Sequence, residues 1–201
     1  GNVVLMTSTQ MSNQNPATYV QSAPEKVYEY IEDDLLYACD ILPYATDDQY
    51  RESNDYRFSK GAALGLLTKV YATWAGYPVK DESKWEAAAK TARILVESGK
   101  HGLLKDYEQL WKNTCNGTWD PTESLIEISF YSPTVSGNSD PVGRIGKWNG
   151  VKTTAIAGVR GSCAANVKVV HTFVLDWRED VSDIRRDLSI ANYQYTDTKK
   201  S

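Results

Sequence analysis

The alternation of apolar and polar positions is irregular at first. Residues 2–21 carry Ser, Thr, Asn and Gln throughout and read as an irregular leading segment. From Ser22 a pattern sets in. Ser22, Ala23, Pro24 and Glu25 form a capping box with proline in the first turn, where its missing N–H leaves no bond unmade. Val27, Ile31, Leu35, Ala38 and Leu42 then recur every third or fourth residue, which predicts one face of an amphipathic helix ended by Pro43. Residues 47–55 read as a solvated loop. A second helix is expected from Ser59 to Ala75, with Leu64, Leu67, Tyr71 and Trp74 on one stripe and Ala63, Leu66 and Val70 on the next. So wide an apolar arc implies a helix packed between others. Gly76 and Pro78 stop it. Ser83-Lys84-Trp85-Glu86 reads as a second capping box, and Trp85, Ala88, Ala92 and Leu95 give the stripe of a third helix closed by Gly99.

These last two helices are expected to form an antiparallel hairpin, since the small residues Ala88 and Ala92 let a partner helix approach closely. The order is similar to the tetratricopeptide consensus, in which a small residue of the second helix packs under a large one of the first. One hairpin cannot bury its own face, so the first helix must help to cover it. After Gly102 the text predicts a short helix over Asp106–Lys112 carrying Tyr107, Leu110 and Trp111. Glu123–Phe130 alternates, with Ile126, Ile128 and Phe130 on one face, and reads as a strand. Residues 131–166 are rich in Gly, Ser, Asn, Thr and Pro, a long loop of the kind that is functional or disordered. A short helix is expected within Val167–Trp177 and a final strand at Leu188–Tyr195. The expected fold class is mainly α: a tetratricopeptide-like helical hairpin scaffold with long loops and a few short strands. Its domain organisation is a single unit over 1–201, with the leading segment 2–21, a helical core 22–112 and a loop-rich part 113–201.

Composition narrows the function more by exclusion than by assertion. With 41% hydrophobic and 24% charged residues the chain is too apolar to be disordered. A net charge of -4 argues against nucleic acid, whose phosphates require clustered Lys and Arg. No run approaches the ~20 apolar residues of a membrane-spanning helix. Cys39, Cys115 and Cys163 are too far apart for a close-spaced zinc pattern or a disulfide framework, and Cys39 lies on the apolar stripe of the first helix. His101 and His171 are the only imidazoles, and neither stands at a metal or triad spacing. Gly143-Arg144-Ile145-Gly146 lacks the flanking strand and helix of a phosphate loop. Glu123 and Glu127 share one surface of a predicted strand, as residues on any solvated strand edge do. Asn116-Gly117-Thr118 satisfies the glycosylation pattern, which matters only in a eukaryotic secretory context. The expectation is therefore a non-enzymatic protein without cofactor or metal.

Tyr and Trp number 13 and 6 against 3 Phe, a bias toward rings that also hydrogen-bond and so suit wet recognition surfaces. Trp119, Tyr131, Trp148 and Asn149 lie in or beside irregular text and are the candidate ligand-binding residues. An exposed ring can stack on the C–H face of a sugar while a neighbouring amide bonds its hydroxyls.

Several runs together resemble the SusD/RagB family of outer-membrane nutrient-binding lipoproteins of Bacteroidetes. The strongest is Arg57-Phe58-Ser59-Lys60-Gly61-Ala62-Ala63 through Val70-Tyr71, followed at the family's distance by Trp85-Glu86-Ala87-Ala88-Ala89. Val96 through Leu104, Asp106-Tyr107, Glu123 through Ile128 and Asp183-Ile184-Arg185-Arg186-Asp187 follow in family order, with Ile184 where members often carry Pro. The resemblance spans about residues 24–195. It implies a tetratricopeptide-like scaffold whose loops capture a glycan or another nutrient, at the cell surface and outer membrane, for a TonB-dependent (SusC-like) transporter. Membrane association would run through a lipid anchor that this chain does not carry. The family's lipid-bearing Cys and its long C-terminal part are also missing from the text, so the resemblance implies the central piece of a larger protein. No binding residue transfers by motif. A tetratricopeptide-like protein-interaction scaffold without a small-molecule ligand is the alternative.

Overall fold

A computed structural model of the chain describes residues 2–7, 15–128, 148–156, 161–177, 182–191, 193 and 195. The chain divides into two units, Gly1–Ile128 and Ser129–Ser201.

The first unit is built on three helices. The leading segment is not wholly irregular: β1 (Val3–Val4) pairs antiparallel with β2 (Gln21–Ser22), placing Val3 opposite Ser22, and a single 3-10 turn spans Pro16–Thr18. This changes the start of the first helix. Ser22 belongs to β2, and α1 runs Pro24–Ile41 with Ala23 at its N-cap and no side-chain cap. The capping box expected there is absent because Ser22 sits one residue too early. Proline in the first turn remains, as expected.

The second helix, α2 (Lys60–Ala75), starts at Ser59, whose Oγ accepts the Ala62 N–H at 3.3 Å. Gly61, Ala62, Ala63, Leu64, Leu67, Tyr71, Trp74 and Ala75 are all buried, which fulfils the expectation of a helix packed on more than one side. The third helix, α3 (Lys84–Glu97), packs along it. The start of α2 lies beside His101, just past the end of α3, so the pair is antiparallel. Likewise α1 runs against α2: the Lys60 N–H reaches the Pro43 carbonyl at one end, and Tyr28 stacks on Trp74 at the other, with centroids 5.1 Å apart. Ser83 caps nothing. Its hydroxyl and its N–H instead donate to the Asp81 carboxylate, a turn that sets up α3 from outside. The buried face of α3 is Ala88 and Thr91, leaving Trp85 about half exposed rather than on the core stripe. Gly99 has φ +64°, the left-handed conformation that ends α3 as anticipated.

The core of this unit is Leu35, Leu67, Tyr71, Trp74 and Ala88, with Tyr28, Ile31, Cys39 and Val70 against it. A polar clip crosses its edge. The Tyr71 hydroxyl donates to Glu32 at 2.7 Å, and Lys84 bonds both Glu32 oxygens at 3.1 Å while its ammonium lies 3.8 Å from the Trp74 ring centroid. One residue from each helix thus meets at a single partly buried carboxylate.

The fourth helix, α4 (Tyr107–Cys115), runs a turn longer than expected, and Asp106 caps it by accepting the Glu108 and Gln109 N–H groups. The strand expected at Glu123–Phe130 is not formed over 123–128, and residues 129–130 lie outside the described part. Glu123 accepts the Leu104 N–H, Gly102 N–H bonds Thr122, and the Leu125 side chain packs on Gly65, so these residues are held by α2 and the loop after α3 rather than by a neighbouring strand.

In the second unit the described residues contain α5 (His171–Trp177), within the expected segment, and α6 (Arg185–Ser189). An antiparallel bridge joins Thr153 and Cys163. The final strand is a misreading at its start: Leu188 and Ser189 complete α6. The Asp183 carboxylate accepts bonds from Arg185 and from the Trp177 indole N–H at 3.0 Å, linking α5 to α6.

Candidate functional site

Loop 45–58 of the first unit is organised around a buried cation, which the expectation of a solvated loop missed. The Arg51 side chain is only 6% exposed. Its guanidinium donates to the carbonyls of Asp55 and Arg57 at 2.8 Å and of Phe58 at 3.5 Å, and Asp48 lies 3.8 Å from Nε. Five N–H donors in one plane suit a loop whose carbonyls converge. Arg57 grips Asp55, and its guanidinium holds that carboxyl below the ordinary carboxylate range. The loop delivers the chain to Ser59 and so to the start of α2.

Trp119 belongs to this assembly. Its N–H donates to the Asn54 side chain at 2.8 Å, Tyr56 leans on its ring, and Arg51 lies 5.4 Å from its centroid. The residue is 8% exposed. It lines an open hollow of about 360 Å³ together with Asp48, Arg51 and Asn54. Both the Arg51 Nε and the Trp119 Nε1 are buried without a hydrogen-bond partner. With its ring occupied by Tyr56 and Arg51, Trp119 cannot offer a free stacking face as placed.

Tyr131 lies outside the described residues. Trp148 and Asn149 are in the second unit, and both are exposed, Trp148 at 44%. The Trp148 carbonyl accepts the N–H groups of Asn166 and Val167 at 2.7 and 3.3 Å, which fixes the backbone of the pair while the ring stays in solvent. Asn149 lines a hollow of about 500 Å³, whose wall also includes Lys152, Lys168 and the apolar residues Val151, Val169 and Val174. That volume falls in the range of small-molecule sites, which combine an apolar lining with a few polar groups. The lysines and valines of this wall escaped sequence reasoning. They are scattered through irregular text with no period to group them.

Other titratable groups do not gather into reactive sets. Among the described residues no cluster of His, Cys, Asp and Glu is placed to hold a metal ion. Cys39 and Cys115 are free thiols, and burial pushes the Cys39 thiol up. His101 points its Nδ1 at the Pro121 carbonyl, 2.9 Å away. No described helix is long and apolar enough to cross a membrane.

An open, partly apolar hollow, with an exposed tryptophan next in the chain to one of its lining residues, has the character of a binding site. No family model matches the chain. A SusD-like protein of Bacteroides ovatus (strain ATCC 8483) is 26% identical over 160 residues, a match that covers 74% of this chain and 28% of the relative. A crystal structure of a SusD superfamily protein from Parabacteroides distasonis ATCC 8503 aligns with 30% identity and a TM-score of 0.45, covering 55% of this chain and 22% of that one. The chain is similar to SusD-like proteins, and it spans little more than a quarter of the curated relative it matches.

Proposed function

We propose that this chain is part of a nutrient-binding protein that captures a glycan or another nutrient and performs no chemistry on it. The full-length protein would be lipid-anchored at the cell surface and would pass its ligand to a TonB-dependent outer-membrane transporter. The observation that carries the reading is the hollow of the second unit, with Asn149 on its wall and the exposed Trp148 next in the chain. Such a pair supplies a stacking face and an amide for hydroxyls, the two things a sugar ring needs. The SusD-like relative supports the same class. The interaction-scaffold alternative gains little from α2, which packs against α1 and α3 and leaves Leu66 as its exposed large apolar residue.

Affinity electrophoresis of the chain through gels containing single polysaccharides tests the proposal, with Trp148→Ala run alongside. Retardation by at least one glycan, lost in Trp148→Ala, is the expected result. Retardation that persists in the variant discards this site. Absence of retardation by every glycan, for this chain and for the longer parent protein, overturns glycan capture.

A further inference from the structure

The wall of the second unit's hollow has an uneven charge. Lys152 and Lys168 both line it, and both are exposed. Ser189 and Tyr193 add hydroxyls, and no carboxylate is among its described lining residues. Of the acids around α6, two are already engaged, while Asp176 of α5 is exposed. Asp183 is gripped by Arg185 at 2.6 Å, which holds its carboxyl far below the usual range, and Asp187 is gripped by Arg186 at 2.8 Å. No described carboxylate stands within ion-pair distance of either lysine, so their ammonium groups remain available on flexible four-carbon stems. The whole chain carries -4, so this is a local positive site on an acidic protein. A neutral sugar has no use for two unpaired cations, whereas a charged one gains an attraction that unlike charge elsewhere on the chain cannot supply.

We propose that this hollow takes an anionic sugar, one bearing a carboxylate or a sulfate ester, with Lys152 and Lys168 as its counter-charges. The inference rests on the glycan-binding reading above and names its ligand class. Carboxylate and sulfate present the same chemistry to an ammonium group, and matched polysaccharides separate them.

The test uses the intact chain and two matched pairs of probes: polygalacturonate against its methyl ester, and dextran sulfate against dextran, with neutral xylan and laminarin as further controls. The expected result is retardation by one or both anionic members, with little by their neutral partners. Raising NaCl from about 0.05 to 0.5 M should weaken it strongly, because exposed charges are screened beyond the Debye length. Lys152→Gln and Lys168→Gln should each weaken binding about 2–5-fold, the range for exposed ion pairs. Both lysines are exposed, so the variants should keep the parent's circular dichroism and melting temperature. Equal retardation by a neutral probe and its charged partner, or anionic binding unchanged by both lysine variants, overturns the inference. If that binding is still lost in Trp148→Ala, the glycan reading itself survives. Failure of all six probes, charged and neutral alike, overturns the inference and counts against the broader reading too.

Discussion

Replacing Gly61 with alanine puts a methyl group where the structure has an imidazole. A Cβ at this position would lie 2.8 Å from Cε1 and 2.9 Å from Cδ2 of His101, and closer still to Nε2. The ring cannot simply swing away. Its Nδ1 faces the Pro121 carbonyl at 2.9 Å, so Nδ1 must be the protonated nitrogen, and Tyr44 packs against the ring at 5.8 Å. In an open helix, Gly→Ala would stabilise by about 0.5–1 kcal/mol. Here overpacking costs about 1–3 kcal/mol and loss of the Pro121 hydrogen bond about 1 kcal/mol more. The net expectation is a destabilisation of about 2 kcal/mol, or a fall in melting temperature of about 5–10 °C. Urea denaturation of the parent, Gly61→Ala, His101→Ala and the double variant measures the coupling. In the His101→Ala background the obstacle is gone, so Gly61→Ala should change sign and stabilise by about 0.5–1 kcal/mol. An equal cost of Gly61→Ala in both backgrounds would refute the steric argument. Gly65 is the internal control. Its nearest obstacle is the flexible Cδ1 of Leu125 at 2.7 Å, so Gly65→Ala should cost less than Gly61→Ala.

Two further predictions follow from the same packing. Burial and the hydrogen bond to Glu32 raise the Tyr71 phenol well above its ordinary value of 10.0, so its contribution is complete below that pH and is lost as pH climbs past it. Thermal melts of the parent should therefore fall more steeply above pH 10 than those of Tyr71→Phe, which at pH 7 should be less stable by about 1 kcal/mol; parallel alkaline profiles would refute this. Trp119→Ala removes a buried ring and should cost about 3–5 kcal/mol by urea denaturation, whereas Trp148→Ala should stay within about 0.5 kcal/mol of the parent; comparable losses at the two positions would contradict their placement.

The order and type of the first helices were legible because they are written locally. A three-to-four residue period, Pro24 in a first turn and Gly99 past an end each act within one or two turns of backbone. The packing of α2 on two sides was legible for the same reason: its apolar arc is too wide to face a single neighbour. What failed depended on residues far away in the chain. Ile126 and Ile128 alternate as a strand would, but alternation needs a paired neighbour to become a sheet, and the Glu123 carboxylate is instead spent on the Leu104 N–H. Leu188 and Ser189 are the exception, since a turn that Asp183 begins close by draws them into a helix.

The candidate site divides along that line. Sequence alone determined that irregular, aromatic-rich text follows a helical scaffold, and it nominated Trp119, Tyr131, Trp148 and Asn149 from it. Only tertiary structure separated them. Trp119 is held by Asn54, 65 residues earlier, and by Arg51, a cation that no local pattern marks as buried. Trp148 keeps its ring in solvent while its carbonyl is tied to residues 166 and 167, and the lysines beside Asn149 come together across a stretch with no period at all. Burial and charge at a site are sums over neighbours from many parts of a chain. A sequence reports one residue's propensity at a time, so it can nominate such residues but cannot assemble them.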